Sequence, residues 1–223
     1  MKQYSVTLTG LTPLIMHQDN LAFGEKISQW RNDPANKEFS VSGDDRSPAW
    51  SWLGYLYHDT RTVGIPSDNL MTMLRQGGAK VRTGKKSETY KNQTQAGILI
   101  DTQQWDILNS KGETIPVKPF YDECVGNNDF AAHVEMVERY GFELLVKRAK
   151  VNTPKHVRVR PFFRDWTASG TLTVIDEKQS GLTERVLDLI LNQAGALVGL
   201  GDWRPSSPKS SGTFGKFSVE VRG

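Results

Sequence analysis

The sequence predicts an α+β fold in the order strand, helix, strand, strand, helix, strand, and three observations carry that prediction. Short segments of apolar–polar alternation recur near the start, the middle and the end of the 223 residues, and a period of two marks a half-buried strand. Two other segments, between Gly64 and Gly78 and from about Thr183 to Val198, repeat their apolar residues at helical spacing. The stretches at about 17–63 and 81–141 keep no sustained period and read as insertions into a single domain spanning 1–223.

Tyr4, Val6 and Leu8 alternate with Ser5, Thr7 and Thr9 and stop at Gly10, which defines the first strand. In the first insertion Trp50, Trp52, Tyr55 and Tyr57 are either a base-stacking platform or the packed face of a hairpin. The first helix follows, with Ser67 as N-cap, Asp68 at its positive end, Leu70, Met73 and Leu74 on one face and Gly77 as terminator. Beyond it Arg75, Lys80, Arg82, Lys85, Lys86 and Lys91 face Glu88 alone in a basic loop, and Ile98–Ile100 and Val117–Phe120 are short strands inside the second insertion.

Phe142, Leu144 and Val146 form the second strand, and Trp166, Ala168, Gly170, Leu172 and Val174 the third. The basic connection between them holds Lys147, Arg148, Lys150, Lys155, His156, Arg158, Arg160 and Arg164 without one acid, although the net charge of the whole chain is only +3. Such a segment is a solvated face or a nucleic-acid footprint, and its interleaved aromatics favour the footprint. The second helix places Val186, Leu189, Ile190, Gln193 and Leu197 on one side, and Phe217, Val219 and Val221 close the chain as its last strand. This order is that of the ferredoxin-like fold, shared with RRM-like modules.

Between the second helix and the last strand, Gly199, Gly201, Gly212 and Gly215 surround Trp203, Arg204, Lys209, Ser210 and Ser211. Glycines let a ligand approach the backbone amides, and arginine, lysine and serine hydrogen-bond phosphate oxygens, although glycine and proline also populate any long surface turn. The spacing fits neither a phosphate-binding G-x-x-x-x-G-K-[ST] loop nor a dinucleotide fingerprint, so no cofactor is expected. The single Cys124 excludes an intramolecular disulfide or a cysteine zinc cluster, and His17, His58, His133 and His156 lack metal-ligand spacing. With no long apolar run and no basic-then-apolar leader, a cytoplasmic protein that does not enter a membrane is expected.

The opening strand with its G-L-T-P-L turn, the helix start I-P-S-D-N-L-M-T-M-L-R and the glycine-rich loop ending G-T-F-G-K-F together resemble the RAMP superfamily of CRISPR-associated proteins, especially its RNA-coating backbone subunits. Ile65, Pro66, Ser67, Leu70, Leu74 and Arg75 match the family's helix start, and the four loop glycines match its G-x-G…G-x-G loop. Asp68, Thr72, Met73 and the G-D-W-R-P stretch depart from it. The segments T-P-K-H-V-R-V-R-P-F-F-R-D-W and G-L-G-D-W-R-P are also similar to small phage and prophage proteins.

The RAMP resemblance implies non-catalytic binding of a single-stranded guide RNA by several copies in a row, with pairing to a complementary RNA or DNA left to the guide. It places Lys147–Arg164 on the gripping surface or thumb, Ser67, Asn69 and Arg75 at the helix, and Arg204 and Lys209 over phosphates. Relatives that cleave RNA make His17, His58 and Asp45, or its neighbour Asp44, the catalytic candidates. The rival expectations are a phage single-strand DNA-binding or annealing protein and a metal-independent endoribonuclease.

Overall fold

The computed structural model describes residues 1–150, 155–208 and 211–223. In chain order the elements are β1 (Lys2–Gly10), β2 (Leu14–Ile15), α1 (Leu21–Asn32), β3 (Gly64–Pro66), α2 (Ser67–Gly78), α3 (Lys91–Gly97), β4 (Ile98–Leu99), β5 (Gln104–Leu108), α4 (Lys118–Cys124) and α5 (Phe130–Arg139). The hairpin strands β6 (Glu143–Lys150) and β7 (Lys155–Phe163) follow, then β8 (Thr167–Val174), α6 (Glu177–Ser180), α7 (Glu184–Leu197) and β9 (Phe217–Arg222). The protein is therefore mixed α+β, and every pairing between its strands is antiparallel.

The larger sheet runs β3-β5-β8-β1-β9, with β4 also paired to β8. Tyr4, Val6 and Leu8 of β1 are buried while Ser5 and Thr9 are exposed, so the alternation in sequence is an alternation of faces. On the buried side, α7 contributes Leu187, Ile190, Leu191 and Ala194, and α2 contributes Leu70, Met73 and Leu74. Leu189 and Leu197, expected on the packed side of α7, are exposed. The helix is turned so that Gly195 meets the backbone of Phe217, where any Cβ would collide with its carbonyl oxygen.

The helix starts differ in how their amides are satisfied. At α7 the Thr183 side chain accepts from the Val186 N–H at 3.4 Å, an ordinary N-cap. Ser67 is instead the first residue of α2 after Pro66, and no side chain caps that helix. Gly77 does not end α2 either; it lies inside the helix, where a Cβ would stand 2.8 Å from both the Ala194 Cβ and the Ile190 carbonyl oxygen of α7.

The smaller sheet, β2-β7-β6, departs most from expectation. The alternation at Phe142–Val146 does not supply the second strand of the main sheet; β5 supplies it, from inside the stretch read as the second insertion. Leu144 and Val146 belong to β6, with Phe142 just before it, and β6 pairs with β7 from Glu143↔Phe162 outward, so the basic segment is itself a two-stranded hairpin. Val117–Phe120 is not a strand, since Lys118–Cys124 is helical, whereas Ile98–Leu99 is one.

The aromatic run is core. Ala49–Tyr55 forms a 3-10 turn that buries Trp50 and Trp52, and Trp52 meets Phe120 and Phe142 edge to face. Phe142 stacks on Phe163 at 4.8 Å, which fastens the base of the hairpin to the same apolar cluster. Among the described residues, no helix is long and apolar enough to cross a membrane, and no group of three or more His, Cys, Asp or Glu could hold a metal ion.

Candidate nucleic-acid interface

One face of the β6–β7 hairpin carries Leu145, Lys147 and Ala149 beside Arg160, Arg158 and His156, because residues two apart share a face. The glycine-rich loop folds back against β2: the Asp202 N–H donates to the Ile15 carbonyl at 2.8 Å. Hairpin, β2 and loop enclose a cavity of about 430 Å³, lined among others by His17, Lys147, Arg158, Arg160, Asp202 and Trp203.

The arginines there are already organised. Asp45 is buried and accepts from Arg158 Nη1 at 2.8 Å and from Arg160 Nη1 at 3.1 Å. Its second oxygen also accepts from the Tyr55 hydroxyl at 3.3 Å and the Val159 N–H at 3.4 Å. The Arg160 guanidinium lies 4.0 Å above the Tyr55 ring, a cation–π contact that fixes its plane. Burial, with the Asp45 charge nearby, pushes the Tyr55 hydroxyl above its ordinary range. The catalytic expectation for Asp45 gives way to a structural one, since this carboxylate is filled by two arginines. Asp44 is likewise bound to Arg46 at 2.6 Å.

His17 does face the cavity, with Nδ1 3.5 Å from Asp202 and its ring edge-on to Tyr55 at 5.1 Å. The His17 hydrogen bond draws the Asp202 carboxyl below its usual range against the opposing effect of burial. His58 is elsewhere. Its Nδ1 accepts from the Thr60 N–H at 3.1 Å, its Nε2 is 3.2 Å from the Tyr121 hydroxyl, and burial lowers its pKa, which makes it a turn-fixing residue.

Trp203 has φ +50, a left-handed backbone that bulky residues seldom adopt. Its indole stacks on Phe214 at 6.4 Å, and the Lys147 ammonium lies over the two rings at 5.3 and 5.5 Å. The loop holds this geometry through glycine: Gly199, Gly201 and Gly215 take φ of +71, +75 and +68. A Cβ on Gly212 would run into the Trp203 carbonyl.

Arg204 turns the other way. Its Nη1 donates to the Gly201 carbonyl at 2.9 Å and its Nε to Ser206 Oγ at 3.1 Å, and it lines a separate cavity of about 240 Å³ with Tyr57, Asn69 and Thr72. Trp203 and Arg204 thus do not act on one ligand patch. Asn69 belongs to this second cavity, Ser67 donates its backbone N–H to the Gln103 carbonyl at 2.9 Å, and Arg75 is exposed further along α2.

Of the remaining basic residues, Arg164 leaves the interface for a paired contact with Glu143 at 2.9 and 3.0 Å. His156 packs on Gly43. Lys147, Arg148 and Lys155 are exposed and make no ion pair among the described residues. Ser211 is exposed on the loop. Lys150 is described only as a strand residue, and Lys209 and Ser210 lie outside the described residues.

Sequence reasoning missed Asp202 and Phe214 as parts of this site, and it took Tyr55 only as one of four aromatics that stack on bases or pack. Asp202 and Phe214 stand beside loop residues that were singled out, so the loop pointed to them; nothing local linked Tyr55 to the hairpin. Compared with known proteins, the chain matches no family model and no curated protein.

Proposed function

We propose that the chain is a ferredoxin-like, RAMP-type protein that binds single-stranded guide RNA without cleaving it, in the cytoplasm and in several copies along one RNA. The sheet order β9-β1-β8-β5 supports the fold reading: numbering the four core strands along the chain gives 4-1-3-2, with α2 and α7 packed on one face. The observation that carries the functional reading is the cavity in which Lys147, Arg158 and Arg160 of the hairpin meet Trp203 of the glycine-rich loop. Cations beside an exposed aromatic grip any single strand through phosphate and base face, without reading its sequence. On this reading the β6–β7 hairpin serves as the thumb, and a complementary RNA or DNA would be chosen by base pairing alone.

The test is fluorescence anisotropy with matched single-stranded RNA and DNA over a range of salt, after nuclease treatment and with absorbance at 260 and 280 nm recorded before it. RNA is expected to bind more tightly than DNA and to lose affinity with salt. An absence of affinity for single-stranded RNA at low salt overturns the reading. His17, held by Asp202 beside the arginines, favours a metal-independent endoribonuclease as the second reading, and cleavage of labelled RNA in the presence of chelator decides for it.

A further inference from the structure

We infer that the cavity between the hairpin and the glycine-rich loop takes one terminal nucleotide of an RNA, with its phosphomonoester on the arginines and its base on Trp203. The inference rests on the RNA-binding reading and adds to it the recognition of a strand end.

The first ground is shape. A cavity of about 430 Å³ falls within the range that encloses a ligand of nucleotide size. The sheet of β2 and the hairpin forms one wall of this concavity and the loop the other, which gives one nucleotide contacts on two sides.

The second ground is the supply of donors. Asp45 engages Nη1 of each arginine, and Arg160 Nη1 also donates to the Val159 carbonyl. A guanidinium carries five N–H groups. Arg158 therefore keeps its Nε and Nη2, and Arg160 its Nη2, without a hydrogen-bond partner among the described residues. The Arg160 side chain is 14% and the Arg158 side chain 31% exposed, so these donors face the solvent of the cavity and are free for a ligand, with Asp202 3.8 Å from Arg160 Nε as the one further acid at the arginines among the described residues. With Lys147 they match a dianionic terminal phosphate, which offers more acceptor oxygens and more charge than an internal phosphodiester.

The third ground is Trp203. A left-handed backbone at a tryptophan stores strain, and here it sets an indole that is 37% exposed on the wall of the cavity. A base stacking there uses the ring face sequence-independently.

The experiment titrates the protein with short single-stranded RNAs that carry a 5′-phosphate, a 3′-phosphate or hydroxyls at both ends, and separately with adenosine 5′-monophosphate and adenosine. One phosphorylated end is expected to bind about tenfold more tightly than the hydroxyl-ended RNA, and the comparison of the two ends tells which is held. Trp203→Gly removes the indole while relieving the backbone; it and Arg158→Gln are expected to weaken the phosphate-ended RNA more than the hydroxyl-ended RNA and so to erase the difference between ends, and a preference for one end that survives both substitutions overturns the inference. Equal binding of all three RNAs overturns the inference while the RNA-binding reading stands. Failure of every RNA to bind overturns that reading and the inference with it, even where the mononucleotide still titrates.

Discussion

The main sheet and the β6–β7 hairpin are both antiparallel, yet they show solvent different chemistry. On the outer face of the sheet, Ser5, Thr7 and Thr9 of β1 lie between Thr171, Ser169 and Thr167 of β8 and Arg222, Glu220 and Ser218 of β9, a strip of short neutral hydroxyls edged by the Glu220–Arg222 ion pair. The hairpin face that continues into Ile15 of β2 presents Lys147, Arg158 and Arg160. A module that stacks bases on its sheet needs aromatics there, and this sheet has put its aromatics into the core instead. The difference teaches that frame and charge sit in separate parts of the molecule: the sheet and its two helices supply a frame, and the hairpin and loop supply a cluster of cations.

The largest effect expected at this boundary comes from Asp45, which joins the first inserted stretch to the hairpin. Its carboxylate is only 5% exposed and pairs with two arginines. Removing one partner of a buried ion pair leaves the other charge uncompensated and costs about 3 to 5 kcal/mol; with Arg158 partly solvated, the lower end applies. Asp45→Ala is therefore expected to lower stability by about 3 kcal/mol in urea unfolding and to weaken RNA binding by the folded protein. A stable variant that binds normally would mean that the arginines need no organising. Arg158→Ala together with Arg160→Ala strands the same carboxylate, so that pair reports on folding as much as on binding.

How far this was legible follows from the same residues. β1, β8 and β9 were readable because each has one face on the core and one in water, which writes a period of two into the sequence. β5 was not: Gln-Trp-Asp-Ile-Leu is five residues long, and its outward Gln104 and Asp106 are tied to each other and to Thr62. The longer alternation at Phe142–Val146 took its place. A run of bases without acids is a statement about neighbours in the chain. The acids that answer it come from Asp45, 113 residues from Arg158 in sequence, from Asp202 of the glycine-rich loop and from Glu143 just before the run. Local charge counting thus overstated the free charge of the hairpin, and it could not show that Arg204 is held by Gly201 and Ser206 of its own loop.

The cations left unpaired sharpen the comparison with a smaller effect. Lys147 and Arg148 are exposed, and surface substitutions away from buried features stay within about 0.5 kcal/mol of the parent stability. Lys147→Ala with Arg148→Ala should unfold in urea like the parent protein while binding RNA more weakly. The plot of log affinity against log salt should flatten by about 0.7 for each phosphate that is no longer neutralised. Weakening that differs between RNA sequences would point to base reading, which phosphate contacts cannot provide.

The smallest effect is expected on the open sheet face, and it is the one that breaks the comparison if it fails. Thr7 Oγ1 and Ser169 Oγ are 3.0 Å apart across β1 and β8 in an exposed pair, and cross-strand pairs of this kind contribute about 0.2 to 1 kcal/mol. Thr7→Ala with Ser169→Ala should cost no more than about 1 kcal/mol in urea unfolding and leave both RNA affinity and its salt dependence unchanged. The hydroxyls here are short, uncharged and partly spent on each other, so they offer a phosphate little that water does not. If this double substitution weakens RNA binding more than Lys147→Ala with Arg148→Ala does, the strand runs across the sheet. The cavity behind the hairpin would then be a consequence of how β6 and β7 pack on the loop, with its arginines serving Asp45 and the fold alone.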